Sequence, residues 1–113
     1  MIEINGIHLI CAKLDNIKPD AMREISDSLR DADALNVTVL ASVDGAKGNL
    51  CVCCGKEAIA LGAHAGNIAR AAAQAAGGSG GGRPDSAMAG FKETDKITDC
   101  FEAAKNAIAS LNK

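Results

Sequence analysis

Five cysteines, two histidines and a run of glycines beside an arginine are the residues of this 113-residue chain whose types and spacing could do chemistry. The cysteines are Cys11, Cys51, Cys53, Cys54 and Cys100. Cys51 and Cys54 have the C-x-x-C spacing of half a zinc site or of a redox pair. They lie, however, in GNLCVCCG, a continuous apolar run that reads as a strand. In a strand successive side chains point to opposite faces, so positions three apart diverge. No second Cys or His pair stands at metal spacing, and an odd count offers no disulfide framework. Free cysteine is also among the most buried residue types, so reduced thiols in a core strand are expected. His8 falls mid-strand and His64 near a helix start. Each reads as structural or surface, although a protonated His64 could help hold a phosphate. The carboxylates are scattered over helices and turns without an Asp-His-His or His-Asp cluster, so metal-assisted hydrolysis is not expected.

The segment at residues 77–91, GGSGGGRPDSAMAGF, carries more functional information. Five of the six residues from 77 to 82 lack a β-carbon, so their amides can turn inward and approach an anion. Arg83 places a guanidinium beside them, and Pro84 stiffens the exit. Together these are parts of a site for a phosphate or a terminal ribose. The same composition also suits a flexible connection between two helices, and the residues alone leave both readings open. A dinucleotide fingerprint is excluded because the glycines follow a helix rather than a strand. A nucleotide-binding phosphate loop is excluded because no Gly-Lys-Ser/Thr occurs.

The elements that must position this segment follow from patterning. Alternating apolar residues on either side of Asn5-Gly6 predict a hairpin, with strands at residues 2–4 and 7–14. Pro19 suits the first turn of a helix on which Met22, Ile25 and Leu29 recur at helical spacing. A β-branched strand at 37–43, the turn DGAKG and the strand NLCVCC make a second hairpin. An alanine-rich helix at 63–76 ends at Gly77, and a last helix begins near Thr94 with Ile97, Phe101, Ala104, Ile108 and Leu111 on one stripe. The expected fold is a single α+β domain over 1–113: a mainly antiparallel sheet of four or more strands, about three covering helices and a glycine-rich loop. With 48% apolar residues but only Phe91 and Phe101 as aromatics, the core must be built from small side chains. The formal charge of −2 means that any phosphate contact comes from a local patch. No apolar run long enough to span a membrane and no secretory signal is present, so the expectation is a cytoplasmic protein with no membrane partner.

The run GGGRPD before Ala89-Gly90 resembles the signature near the C-terminus of alanyl-tRNA synthetases, where a glycine run is followed by R-P/A-D and M-A-Q-A-G-G. His64-Ala65-Gly66-Asn67-Ile68-Ala69-Arg70 is similar to that family's K-A-G-x-I/L-I/V-K/R helix. The segments ASVDG and I-N-G-I before A-K-L-D are similar as well, so the likeness covers nearly all of the chain. Ser79 interrupts the glycines, Met88 stands where Gln is common, and Phe91 replaces a Gly. The resemblance implies the globular part of the synthetase C-terminal domain, related to the accessory domain of DHH-type phosphoesterases. It implies a non-catalytic module that binds tRNA, in particular tRNA-Ala, at the outer corner of its L shape and links aminoacylation with editing. Single-stranded DNA as a further ligand, the rest of the parent synthetase as a partner and a weak homodimer are further expectations. Nucleic-acid contacts are expected from Gly78, Gly80, Gly81, Gly82, Arg83, Asp85, Arg70, His64, Lys92 and Lys56. No cofactor or metal is expected here; ATP, Mg and Zn would belong to upstream domains, and Met1 would be an artificial start. Two other readings are the substrate-binding half of a phosphoesterase and a homo-oligomerisation domain.

Overall fold

The computed structural model describes residues 2–4, 6–15, 19–44, 47–82 and 85–109. Strands β1 (Ile2–Ile4) and β2 (Ile7–Asp15) form the expected hairpin, with Gly6 at φ 82°, the left-handed value that an Asn-Gly turn requires. Helix α1 (Pro19–Ala32) then carries the chain back to β3 (Asn36–Asp44), which pairs parallel to β2. A parallel pair needs such a crossover element, and α1 is long enough to supply it. β4 (Lys47–Cys54) returns antiparallel to β3, and the short α2 (Lys56–Ala60) and α3 (Ala65–Gln74) follow. A single 3₁₀ turn at Thr94–Lys96 leads into α4 (Ile97–Ala109). The fifth residue of the expected last stripe, Leu111, lies outside the described residues.

The glycine-rich segment is not a loop. Residues Ser79–Gly82 form β5 and Ser86–Phe91 form β6, an antiparallel hairpin that joins the sheet through β6 and β4. The sheet therefore has six strands in the order β1-β2-β3-β4-β6-β5, and all of its pairings except β2 with β3 are antiparallel. Glycine is disfavoured in strands by its own propensity, so neighbours must impose this one. They do so from α3. A β-carbon on Gly66 would lie 2.5 Å from the carbonyl oxygen of Gly82, so the helix rests directly on the strand backbone. Beneath it, β-carbons on Gly80 and Gly82 would fall 2.2 Å and 2.8 Å from those of Ala89 and Ala87.

The two faces of the sheet are packed differently. On one face Ile7, Leu9, Val37, Val39, Leu50, Val52 and Phe91 meet the alanines of α3 and the Ile97, Cys100, Ala104 and Ile108 stripe of α4. On the other, α1 lies over β3 and β4 and inserts Met22 beside Leu40, Cys51 and Cys53. The second face is also the more polar: Asn36, Thr38, Ser42, Ser26 and Ser86 are all buried, and the Thr38 hydroxyl donates to the Asn36 side chain. Buried hydroxyls and amides are tolerable only when paired in this way.

Cys51, Cys53 and Cys54 have no exposed surface, as the strand reading required. Cys54 faces the α3 side and Cys51 the α1 side, so the C-x-x-C pair is divided by the sheet itself. The Ser26 hydroxyl donates to Cys51 Sγ at 3.4 Å, and Cys53 Sγ lies 3.8 Å from Ser86 Oγ. Burial pushes the Cys54 thiol up to about 12, and hydrogen bonding to Cys51 together with burial raises Cys53.

Candidate nucleic-acid interface

Strand β5 is the last strand of the sheet, so one of its edges has no partner strand among the described residues. Gly80 and Gly82 are exposed on it. The result is a strip of backbone amides and carbonyls with almost no side chain in front of it, which is what a ligand reading the main chain needs.

The residues expected to form one site are spread over several elements rather than gathered at a point. At one end of the strip Gly82 and the His64 ring both lie against Gly66 of α3, whereas Lys56 and Asp85 stand elsewhere, at the junction of α1, β4, α2 and β6. A cleft of about 430 Å³ opens there, lined by Arg30, Asp31, Ala34, Lys56, Ile59 and Asp85 among others. At the other end Gly78 and Lys92 line a second cleft of about 560 Å³. At roughly 3.3 Å per residue the two ends of the strip are about 13 Å apart. Arg70 is exposed on α3, where its guanidinium donates to Asn67 Oδ1 at 2.8 Å. Gly81 pairs with Met88 in the middle of the hairpin. Arg83, the residue most strongly marked by the sequence, lies outside the described residues.

Three expected contacts also have structural duties. His64 is the N-cap of α3, its Nδ1 accepting from the Asn67 amide at 3.1 Å, so that ring nitrogen is committed to the helix start. Asp85 accepts the Cys54 amide on its backbone oxygen at 3.0 Å and faces Arg30 at 3.8 Å, which fixes the entry to β6. Gly78 donates to Ala73 O at 2.8 Å just after Gly77, which holds φ 71°; the pair closes the C-terminus of α3.

Arg30 was not legible as a site residue. It sits on α1, far from the glycines in sequence, yet it approaches Asp27, Asp31 and Asp85 and lines the first cleft. Its only sequence signal is its place in the last turn of a helix. Away from both clefts, His8 on β2 donates from Nδ1 to Asp33 Oδ2 at 2.6 Å and lies 3.4 Å from Glu3 on β1. The Asp33 hydrogen bond raises the His8 pKa. The same bond and the Leu35 amide lower that of Asp33. Among the described residues no three His, Cys, Asp or Glu side chains converge as a metal site would need, and no helix is long and apolar enough to cross a membrane.

A six-stranded, mostly antiparallel sheet with a glycine edge strand under an alanine helix places the molecule in a definite class: the DHHA1 domain model matches residues 6–110, and the chain belongs to that family. Within it the likeness is to the C-terminal globular domain of alanyl-tRNA synthetases, as the sequence resemblance implied. The chain is 41% identical over 109 residues to the alanine–tRNA ligase of Acetivibrio thermocellus and 40% identical over 112 residues to that of Clostridioides difficile. These matches cover 96% and 99% of this chain but only 12% and 13% of those relatives. The crystal structure of the C-Ala domain from Aquifex aeolicus alanyl-tRNA synthetase superposes with a TM-score of 0.90 at 27% identity, covering 96% of this chain and 97% of that one.

Proposed function

We propose that this chain is a tRNA-holding module that acts within an alanine–tRNA ligase in the cytoplasm and performs no chemistry of its own. The observation that carries the proposal is the edge of β5, on which Gly80 and Gly82 are exposed, taken with the exposed cations Lys56 and Arg70 and with Arg83, the next residue in the sequence. Such an edge suits ribose and phosphate oxygens. The fold supplies amides at fixed spacing, and these cations supply charge without a large basic surface. The kinship with alanine–tRNA ligases favours tRNA-Ala, contacted at its outer corner, over the substrate of a phosphoesterase. Single-stranded DNA shares the phosphate chemistry and is a secondary ligand on this reading.

With few such cations, only about three or four phosphates can be neutralised, so affinity should fall gently with salt. The test is a titration of the chain with tRNA-Ala, a tRNA corner mimic and a scrambled duplex at two salt concentrations. Arg83→Ala should weaken tRNA binding by about 1–3 kcal/mol, the range for losing a charged hydrogen bond, while Lys105→Ala on α4 should change nothing. If Lys105→Ala weakens binding and Arg83→Ala does not, the interface lies on another face.

A further inference from the structure

At the end of the sheet where β4 begins and β6 ends, Gly48, Asn49, Gly78, Gly90, Phe91 and Lys92 enclose most of a cleft of about 560 Å³. That volume lies in the range of small-ligand sites. Its glycines have different reasons for lacking a side chain. A β-carbon on Gly48 would fall 2.1 Å from the Phe91 ring, and one on Gly78 would fall 2.0 Å from the Gly90 carbonyl oxygen. Gly77, a further lining residue, holds a left-handed φ of 71°. Gly90 has no such reason. Its backbone is not left-handed, and a β-carbon there would meet nothing nearer than the Gly48 oxygen, at 3.8 Å. A glycine inside a strand sacrifices backbone order and packing. Here the fold recovers nothing from it except an open floor.

The polar groups around that floor are unspent. Asn49, in register with Gly90, is half-buried, and its side-chain amide makes no hydrogen bond among the described residues. Lys92 is exposed and has no carboxylate partner among them, its neighbour Glu93 being paired with Lys96 at 3.5 Å. The cleft thus offers flat peptide planes for an apolar face, the Phe91 ring being buried on the other side of the sheet, together with an amide that both donates and accepts and one positive charge. A nucleobase with its phosphate matches all three: base faces stack on flat apolar surfaces, asparagine pairs with base edges, and an ammonium holds a phosphate.

We propose that this cleft takes one unstacked nucleobase, with its face on the Gly48–Gly90 floor, its polar edge on the Asn49 amide and its phosphate on Lys92. The base can come from a free nucleotide or from a bound RNA strand. Only the second source rests on the tRNA reading above. The test is a titration of the isotope-labelled chain with AMP, followed through backbone amide resonances, with ribose 5-phosphate as the baseless control. AMP should shift Gly48, Asn49, Gly90 and Lys92, and ribose 5-phosphate should bind at least roughly tenfold more weakly. Gly90→Leu, which fills the cleft from a position with room for a β-carbon, should weaken AMP at least roughly tenfold, and the exposed Lys92→Ala several-fold. The proposal is overturned if ribose 5-phosphate binds as well as AMP, if the shifts gather at Arg30, Lys56 and Asp85, or if both variants keep full affinity. A parallel titration with tRNA-Ala assigns the source. Loss of tRNA affinity in Gly90→Leu identifies an RNA base, and unchanged tRNA affinity with AMP lost identifies a free nucleotide. AMP binding without any tRNA binding would sink the tRNA reading and leave the cleft standing. The reverse result, tRNA binding insensitive to Gly90→Leu with no AMP binding, would sink the cleft alone.

Discussion

Replacing Gly66 with alanine sets two physical effects of opposite sign against each other. Gly66 lies inside α3, and in a helix interior alanine is preferred over glycine by about 0.8–1.0 kcal/mol. If the position were free, Gly66→Ala would stabilise the chain by that amount. The new β-carbon, however, would stand 2.5 Å from the Gly82 carbonyl oxygen and 2.9 Å from the Gly82 nitrogen. These are backbone atoms of a hydrogen-bonded strand and cannot rotate away. Overpacking of this kind costs about 1–3 kcal/mol, so the net effect should be a loss of about 0–2 kcal/mol, centred near 1. For a domain of this size that is a fall in Tm of roughly 4 °C. Urea denaturation of the two proteins should show a lower midpoint at an unchanged slope. The exposed Gln74→Ala, also on α3, should stay within about 0.5 kcal/mol of the parent chain. A gain of about 1 kcal/mol in Gly66→Ala would mean that only helix propensity operates and that α3 does not press on β5.

Met22→Ala, removing the fully buried anchor of α1, should cost about 2–5 kcal/mol in the same denaturation assay. The His8–Asp33 pair should make stability depend on pH. Because the folded-state pKa of His8 is raised, its contribution is fully present below about pH 6.5 and is lost as pH rises through the folded value. Because that of Asp33 is lowered, its contribution is present above about pH 3.8 and is lost as pH falls through the folded value. Stability measured from pH 6 to 8 should therefore fall in the parent chain relative to His8→Gln; parallel profiles would refute the coupling. Finally, Cys51, Cys53 and Cys54 should resist a thiol reagent in the native chain and react once it is unfolded. Rapid native modification of two of them would show that the strand is not buried.

What could be read from the sequence divides along physical lines. Strands β2, β3 and β4 and helices α1 and α4 were legible because each carries its own periodicity, α3 because its alanines favour a helix, and Gly6 and Gly77 marked turns that demand a left-handed backbone. Helix α2 was not, since KEAIA is too short to show a period and its start is fixed by the Ala34 carbonyl, which accepts the amides of Glu57 and Ala58. The β5 strand was the chief miss. No local preference makes SGGG extended; the alanine face of α3 and the small residues of β6 do, and both are tertiary. The parallel register of β2 and β3 likewise follows from how α1 crosses the sheet rather than from either strand. For the site, the sequence identified the right segment and its glycines. It could not show that Gly78 and Gly82 serve opposite ends of a strand, or that Arg30 arrives from another element.

The seam between α3 and β5 has a mechanical consequence. Its buried residues on the helix include Ala65, Gly66, Ala69, Ala72 and Ala73, and its residues on the hairpin include Gly80, Gly82, Ala87 and Ala89. None of these side chains has a torsion to turn. Ordering them costs no rotamer entropy on folding, and by the same token the seam cannot absorb a displacement by repacking side chains. Helix and strand must slide or lift together. A push at the Gly82 end of β5 is therefore delivered to the Gly78 end, about 13 Å away, where the larger cleft opens.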